Sequence, residues 1–298
     1  MTKRQKGIIA MLVAVFVWGI SFINIRIAMG VMGAMTLGGL RFLMATIILF
    51  VIMKVLKVDL TIHKKDIPLF VVAAGIGITV YFYFENNGVK YTSASIASII
   101  IGAIPVFSVI AESIIYKKKI TKILIASVLL SVVGVGMIVG LDLQDLKNGG
   151  SIIGYLMMFG AVISWIIYSI ANKPLFKRYD QGVITFYQSL IGLIFFIPFI
   201  PFENNQWDQI LTGNIFMHVF FLAAFASALG FYLYLKGLDY LGISESSIYI
   251  NLIPVVTVIL SYFWLGETLS PMQLIGGGLI IASVYIMNFE TTVATLDA

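Results

Sequence analysis

The sequence predicts an all-α polytopic membrane protein: ten transmembrane helices arranged as two inverted five-helix repeats, with N- and C-termini cytoplasmic. Three observations predict it. The 298 residues are 60% hydrophobic and 11% charged, against about 25% charged for a soluble domain, so the bilayer is the expected solvent. The basic residues gather in alternate loops, and one half of the chain can be laid on the other.

Windows of about 19 residues place spans near 7–29, 34–56, 67–87, 92–116, 121–141, 151–172, 181–202, 212–235, 243–264 and 270–289. Each suffices for about 30 Å of hydrocarbon. Met1–Lys6 followed by an apolar run from Gly7 has the outline of a secretory signal, with Ala28-Met29-Gly30 as its cleavage site. The run exceeds the usual signal core of about 7–15 residues, and nearly everything after it is also apolar, so an uncleaved first span is expected.

Orientation follows from lysine and arginine, which collect on the cytoplasmic side. With the N-terminus inside, cytoplasmic segments hold the clusters 3–6, 54–65, 117–122 and 173–178 together with Lys236, which is 15 of the 19 basic residues. The outer loops hold Lys90 and Lys147 beside Asp142, Asp145, Glu203, Asp208 and Glu267, while Arg26 and Arg41 lie within spans. The expected location is therefore the cell inner (plasma) membrane, crossed many times. Anionic lipid headgroups would also suit such clusters, but topology accounts for them without a further assumption. The net charge of +5 then needs no nucleic-acid partner. With no cysteine in the chain, disulfides, thiolate metal sites and cysteine nucleophiles are excluded.

An offset of 149 residues aligns Gly88 with Gly237, Tyr91 with Tyr240, Ser95 with Ser244, Ser98 with Ser247 and Pro105 with Pro254. At an offset of 147, Trp18 falls on Trp165 and Met11 on Met158. The halves are 1–145 and 148–290, followed by a cytoplasmic tail at 291–298. Five is odd, so the second half enters the membrane from the opposite side. That is the inverted repeat in which two halves rock about a site between them. The loop charges agree: Lys117, Lys118, Lys119 and Lys122 stand opposite the base-free Gly266-Glu267-Thr268-Leu269-Ser270.

Trp18-Gly19-Ile20-Ser21-Phe22 in the first span and Leu40-Arg41-Phe42 in the second resemble the EamA family of the drug/metabolite transporter (DMT) superfamily. Gly237-Leu238-Asp239-Tyr240, Ile253-Pro254-Val255 and Gly266-Glu267 extend the resemblance over nearly the whole chain. Two positions depart from it: Lys117-Lys118 replaces an acidic-then-basic pair, and Gln188 stands where the first half has Arg41. The resemblance implies a central cavity lined by spans 1, 3, 4, 6, 8 and 9, and often export of amino acids or other metabolites.

Within the spans, Pro105 and Pro254 lie about midway along spans 4 and 9, where proline withholds a donor from the carbonyls of Ile101 and Ile250. Such groups need protein or a watery cavity beside them, so these kinks read equally as structural or functional. Asn251 and Gly102 would put a polar group and a gap there. Trp18 and Trp165 sit deeper than an interfacial belt and read equally as cavity wall or packing. Tyr81, Tyr83, Tyr168, Tyr187, Tyr232 and Tyr249 suit an uncharged or zwitterionic organic solute, with about half of them expected to be packing. Arg41 lies roughly 9 Å into its span, at 1.5 Å per residue, and needs a partner. Glu85 is the expected one, with Arg26 competing. A structural ion pair is expected over a gate or a carboxylate anchor. Glu112 is expected to reach toward the Lys117 cluster.

Glu85 and Glu112 sit toward span ends and His218 near the outer part of span 8, so no central proton carrier stands out. Nucleotide-loop, H-E-x-x-H and G-x-S-x-G motifs are absent, so no cofactor, metal or enzymatic activity is implied. The expected function is a secondary transporter of a small organic metabolite, an amino acid or related zwitterion, exported by alternating access; a homodimer is compatible with it. The alternatives are a proton-coupled exporter of cationic drugs or amines with Glu85 as its essential acid, an intramembrane enzyme, and a non-transporting membrane protein.

Overall fold

The computed structural model describes residues 1–115, 122–139 and 150–296. Lys117–Lys119, Asp142, Asp145 and Lys147 lie outside the described residues, as does the side chain of Glu112. Among the described residues every regular element is helical: α1 (Lys3–Ala28), α2 (Ala34–Val55), α3 (Ile67–Ala74), α4 (Tyr81–Tyr91), α5 (Ala94–Ile101), α6 (Ile104–Ile115) and α7 (Lys122–Val139) come first. After them come α8 (Gly150–Asn172), α9 (Gln181–Phe196), the short α10 (Trp207–Ile210), α11 (Gly213–Phe221), α12 (Gly230–Ile250), α13 (Leu252–Leu265) and α14 (Pro271–Leu296). Two π-helical segments, Gly75–Val80 and Leu222–Leu229, splice α3 to α4 and α11 to α12.

Eight helical stretches are long and apolar enough to cross a membrane: Lys3–Ala28, Ala34–Val55, Lys64–Tyr91, Ala94–Ile115, Ile152–Lys177, Gln181–Phe202, Gly213–Ile243 and Glu245–Leu265. The fifth and tenth expected spans fall on α7 and α14, which carry the shorter apolar runs Ile125–Gly134 and Pro271–Ser283 and pack on each other. The outer surface is itself apolar, with Phe16, Phe199 and Phe263 at 56%, 50% and 75% exposure. A soluble protein scatters such residues singly; a continuous coat of them requires lipid. The main helix pairings join one half of the chain to the other: α1 packs on α12 and α13, α4 on α8, α2 on α9, and α5 on α13.

The irregular backbone is concentrated where these pairings meet. In the second π segment the amide of Gly230 reaches back five residues to the Phe225 carbonyl. The Ala226 carbonyl, its partner in an α-helix, is thereby released. In the first, Tyr81 likewise bonds Ile76. Span 4 is interrupted at Gly102, between α5 and α6, and span 9 at Asn251, between α12 and α13. Gly242, inside α12, has φ 81°, a left-handed conformation open to glycine. Gly102 and Asn251, like Ser93 and Gly242, stand at the spacing that aligns Gly88 with Gly237.

The prolines behave differently from the mid-helix kinks expected. Pro105 is the second residue of α6 and Pro254 the third of α13, in first turns where an amide has no intrahelical partner to lose. Each starts a new helix rather than bending an old one, although neither supplies a donor to Ile101 or Ile250.

One end of the bundle carries two matched carboxylate caps. Glu203 accepts from the amides of Met35 and Thr36 at 2.9 and 2.7 Å and from the Thr36 hydroxyl at 2.8 Å, capping α2, whose own N-cap is Gly33. Glu267 accepts from the amides of Ala94 and Ser95 at 3.0 and 2.9 Å and from the Ser95 hydroxyl at 2.7 Å, capping α5. A negative charge at a helix N-terminus complements the macrodipole, and here it comes each time from the other half of the chain. At the opposite end Arg178 and Tyr179 bind Asp66, Arg4 pairs with Glu245 at 2.8 Å, and α9 is capped by its own neighbour Asp180.

A Cβ on Gly77 would stand 2.0 Å from the ring of Tyr168, whereas one on Gly278 meets nothing within 4 Å. Gly77→Ala is expected to lower stability by about 1–3 kcal/mol through overpacking, and Gly278→Ala to leave it unchanged or slightly raised through helix propensity. Thermal unfolding of the purified variants in detergent checks both.

Candidate functional site

A narrow cavity of about 20 Å³, with room for about one water molecule, lies where the two halves meet. α1 contributes Trp18, Ser21 and Phe22 to its wall, and α2 contributes Arg41. Tyr81, Phe82 and Glu85 come from α4, while Ile101 and Ile104 flank the break in span 4. From the second half come Trp165 of α8, Phe231 and Ile250 of α12, and Ile253 of α13. The lining thus draws on the expected spans 1, 3, 4, 6, 8 and 9, and adds span 2 through Arg41.

Aromatic contacts close the pocket. The rings of Trp18 and Trp165 meet edge to face at 5.3 Å, and Tyr234 sits 5.3 Å from the first and 4.8 Å from the second. Tyr81 and Phe231 flank Trp165 at 4.9 and 5.7 Å. Each such pair contributes about 0.5–1.5 kcal/mol beyond its buried area. Both indole donors are satisfied: Trp18 Nε1 donates to the freed Ala226 carbonyl at 2.9 Å, and Trp165 Nε1 to the Tyr234 hydroxyl at 3.1 Å, which is also 2.9 Å from Ser169 Oγ. Gly230 is needed beside the first of these bonds, since a Cβ there would stand 2.7 Å from Trp18 Nε1.

The polar wall differs from the expected ion pair. Arg41 is 1% exposed, donates through Nε to Ser227 Oγ, and lies 4.1 Å over the ring of Phe82. Its Nη1 has no hydrogen-bond partner, and among the described residues no carboxylate lies within 4 Å of it. Glu85 instead accepts from the Tyr81 hydroxyl at 2.6 Å through Oε1. The competing Arg26 donates to the carbonyls of Val89 and Lys90 at 2.9 and 2.7 Å, closing the end of α4. Similar depth along the helices brought Arg41 and Glu85 to one pocket without bringing them into contact.

Of the other candidates, Tyr168 stacks against Trp165 at 5.3 Å and donates to Gln188 at 3.0 Å, one layer behind the wall. Tyr83 is 37% exposed on the outer surface, Tyr232 turns its hydroxyl toward Lys236 at 3.4 Å, and Tyr187 donates to the Leu60 carbonyl. Tyr249 is half-buried away from the pocket. Asn251 is buried at the span 9 break with Oδ1 unpartnered, near Gly102 and off the wall. His218 binds Asn24 at 2.7 Å. Sequence reasoning missed Phe82, Ser227, Phe231 and Tyr234; the run Gly230-Phe231-Tyr232-Leu233-Tyr234 offers three aromatics, of which Tyr232, the one singled out, points elsewhere. Among the described residues no cluster of three metal-ligating side chains occurs.

The fold and the chain both have known counterparts. A solved crystal structure superposes with a TM-score of 0.69, covering 95% of this chain and 97% of that one at 18% identity, which shows a shared fold. An uncharacterized transporter of Archaeoglobus fulgidus is 28% identical over 95% of this chain and 98% of its own length. A probable terminal-alkyne amino-acid exporter of Streptantibioticus cattleyicolor is 26% identical over 97% and 95%. A probable amino-acid metabolite efflux pump of Salmonella typhimurium is 26% identical over 96% of each chain. The model of the EamA-like transporter family matches twice, over residues 5–140 and 152–289, so this chain belongs to that family and is a multi-pass membrane transporter, not an enzyme.

Proposed function

We propose that the protein is a secondary carrier in the plasma membrane that exports a small zwitterionic metabolite, an amino acid or a close relative, by alternating access. The observation that carries this is the pocket itself: closed, aromatic, holding one buried cation and one carboxyl, and built from both halves. Substrate binding there would be felt by every helix that has to move. The amino-acid names of two relatives agree with this substrate class.

The reading includes ten crossings, inverted repeats at 1–145 and 148–290, and cytoplasmic termini. Support for it comes from the one-sided lysine and arginine clusters, from the doubled family match, and from chain irregularities recurring at the repeat spacing. The pocket is complete within one chain, so transport requires no second copy. On this topology the Glu203 and Glu267 caps lie at the outer face and hold the two halves together there.

Accelerated exchange of radiolabelled amino acids in proteoliposomes tests the function. Flux of at least one common amino acid is expected; flux of none ends the amino-acid assignment, and preferential flux of organic amines would favour the cationic-drug reading. Trp18→Ala and Trp165→Ala are each expected to cut exchange by about tenfold or more, since each removes several ring contacts; unchanged rates in both would remove these rings from the site.

The caps make a separate prediction. The chain has no cysteine, so Ser21→Cys gives a single reporter in the pocket. Glu203→Gln or Glu267→Gln, each weakening charge-assisted bonds worth about 1.5–3 kcal/mol, is expected to raise labelling of that cysteine by an impermeant thiol reagent from outside by about tenfold or more. No increase in either variant would mean that the caps do not close the outer face.

A further inference from the structure

We propose that Arg41 is the subsite for the substrate carboxylate, that Glu85 takes the ammonium group, and that the substrate is an α-amino acid with an apolar side chain. This rests on the carrier reading above and assigns groups within it.

The assignment starts from an unfinished hydrogen-bond inventory. A guanidinium has five N–H donors in a planar fork and is costly to bury unless it is paired. Arg41 is buried on the wall of the pocket with Nε held by Ser227 and its face on Phe82, yet Nη1 has no partner. Depth in the membrane alone does not explain the vacancy. Gln188, the residue in the corresponding place of the second half, is equally buried and fully engaged: it accepts from Tyr168 at 3.0 Å and donates to Asn172 at 2.8 Å. The open donor belongs to the half that faces the pocket with a cation.

The fork of a guanidinium matches the two oxygens of a carboxylate, so a carboxylate is the group that would complete Arg41. Glu85 shares the pocket; Tyr81 occupies its Oε1, and among the described residues nothing donates to its other oxygen. That oxygen suits an ammonium donor. Arg41 and Glu85 stand more than 4 Å apart on one cavity that has room for about one water while the halves are together, and an α-amino acid carries its two charges close together, so a single molecule can bridge them once the halves part. The Glu85 carboxyl in the pocket also disfavours a multiply charged anion such as a phosphate ester. The remaining wall is mostly apolar, and the polar side chains on it are already engaged, Trp18 with Ala226, Ser21 with Trp18, Tyr81 with Glu85 and Trp165 with Tyr234, which selects an apolar substrate side chain.

Three matched probes test this: L-phenylalanine, 3-phenylpropionate with the carboxylate alone, and phenethylamine with the ammonium alone. Their binding is read by thermal stabilisation of the full-length protein in detergent, and their competition in proteoliposome exchange of labelled phenylalanine. Wild type is expected to bind phenylalanine best, phenylpropionate at least tenfold more weakly, and phenethylamine more weakly still. Arg41→Gln is expected to lose both carboxylate probes by at least tenfold, and Arg41→Lys to recover part of the loss. The melting temperature of each unliganded variant separates misfolding from lost recognition; if Arg41→Gln does not fold, Ser227→Ala, which frees Nε and releases the fork, is expected to weaken phenylpropionate more than phenethylamine. Equal binding of phenylalanine by wild type and Arg41→Gln, or tighter binding of phenethylamine than of phenylpropionate, overturns the subsite while leaving the carrier intact. If no probe binds and no amino acid is exchanged, the zwitterion reading itself falls, and the subsite with it.

Discussion

The hydrogen bond from the Trp18 indole to the Ala226 carbonyl, 2.9 Å long, is the contact on which the centre of the molecule depends. In hydrocarbon a released backbone carbonyl must find a donor within the protein. The π segment Leu222–Leu229 releases one by shifting the amide of Gly230 to Phe225, and α1 supplies the donor. That bond fixes Trp18 across the seam and holds open a backbone defect of a kind often found at functional sites. The same segment presents Ser227 to Arg41. A single irregular stretch of the second half therefore orients one aromatic wall and the buried cation, both of which belong to the first half.

This dependence also explains which parts of the site were legible in the sequence. Span positions, the basic clusters and the matched pairs Trp18 with Trp165 and Pro105 with Pro254 follow from composition and self-alignment, because each is a property of distance along the chain. Which side of a helix faces inward is not. An extra residue in a π turn rotates everything after it by about 100° relative to an ideal helix. Downstream of the second π segment that rotation turns Phe231 and Tyr234 toward Trp18 and Trp165 and leaves Tyr232 beside Lys236. Similarly, residue counting placed Arg41 and Glu85 at related depths but carried no information about the separation of their helices. Tyr81 accordingly occupies the carboxyl oxygen that the ion-pair expectation had assigned to Arg41.

The two prolines show the same limit in the opposite direction. They stand 149 residues apart in the sequence, yet proline at the second or third position of a helix is a starting signal, not a kink. The residues ahead of them, Gly102 and Asn251, break the spans. The broken ends bring Ile101 and Ile250 to the pocket wall, each four residues ahead of a proline that offers it no amide. The proline matters at the centre of the molecule for the donor it lacks, and the bend is made elsewhere.

In the proposed cycle both ends of the bundle tie the halves together through charged groups. Glu203 and Glu267 each bridge from the second half to a helix start in the first, with three hydrogen bonds apiece, and at the opposite end Asp66 with Arg178 and Tyr179, and Arg4 with Glu245, also join the halves. Opening either end strips charge-assisted bonds, so each opening needs a driving interaction. A ligand shifts such an equilibrium only through its differential affinity for the two states. A substrate that completes Arg41 while the helices are apart would supply it, because the cost of burying an unpaired guanidinium would fall in the state that holds the substrate. Recognition and gating then draw on one electrostatic deficit: the closed protein keeps an incomplete cation at its centre, and the solute that completes it favours the rearrangement by which it leaves.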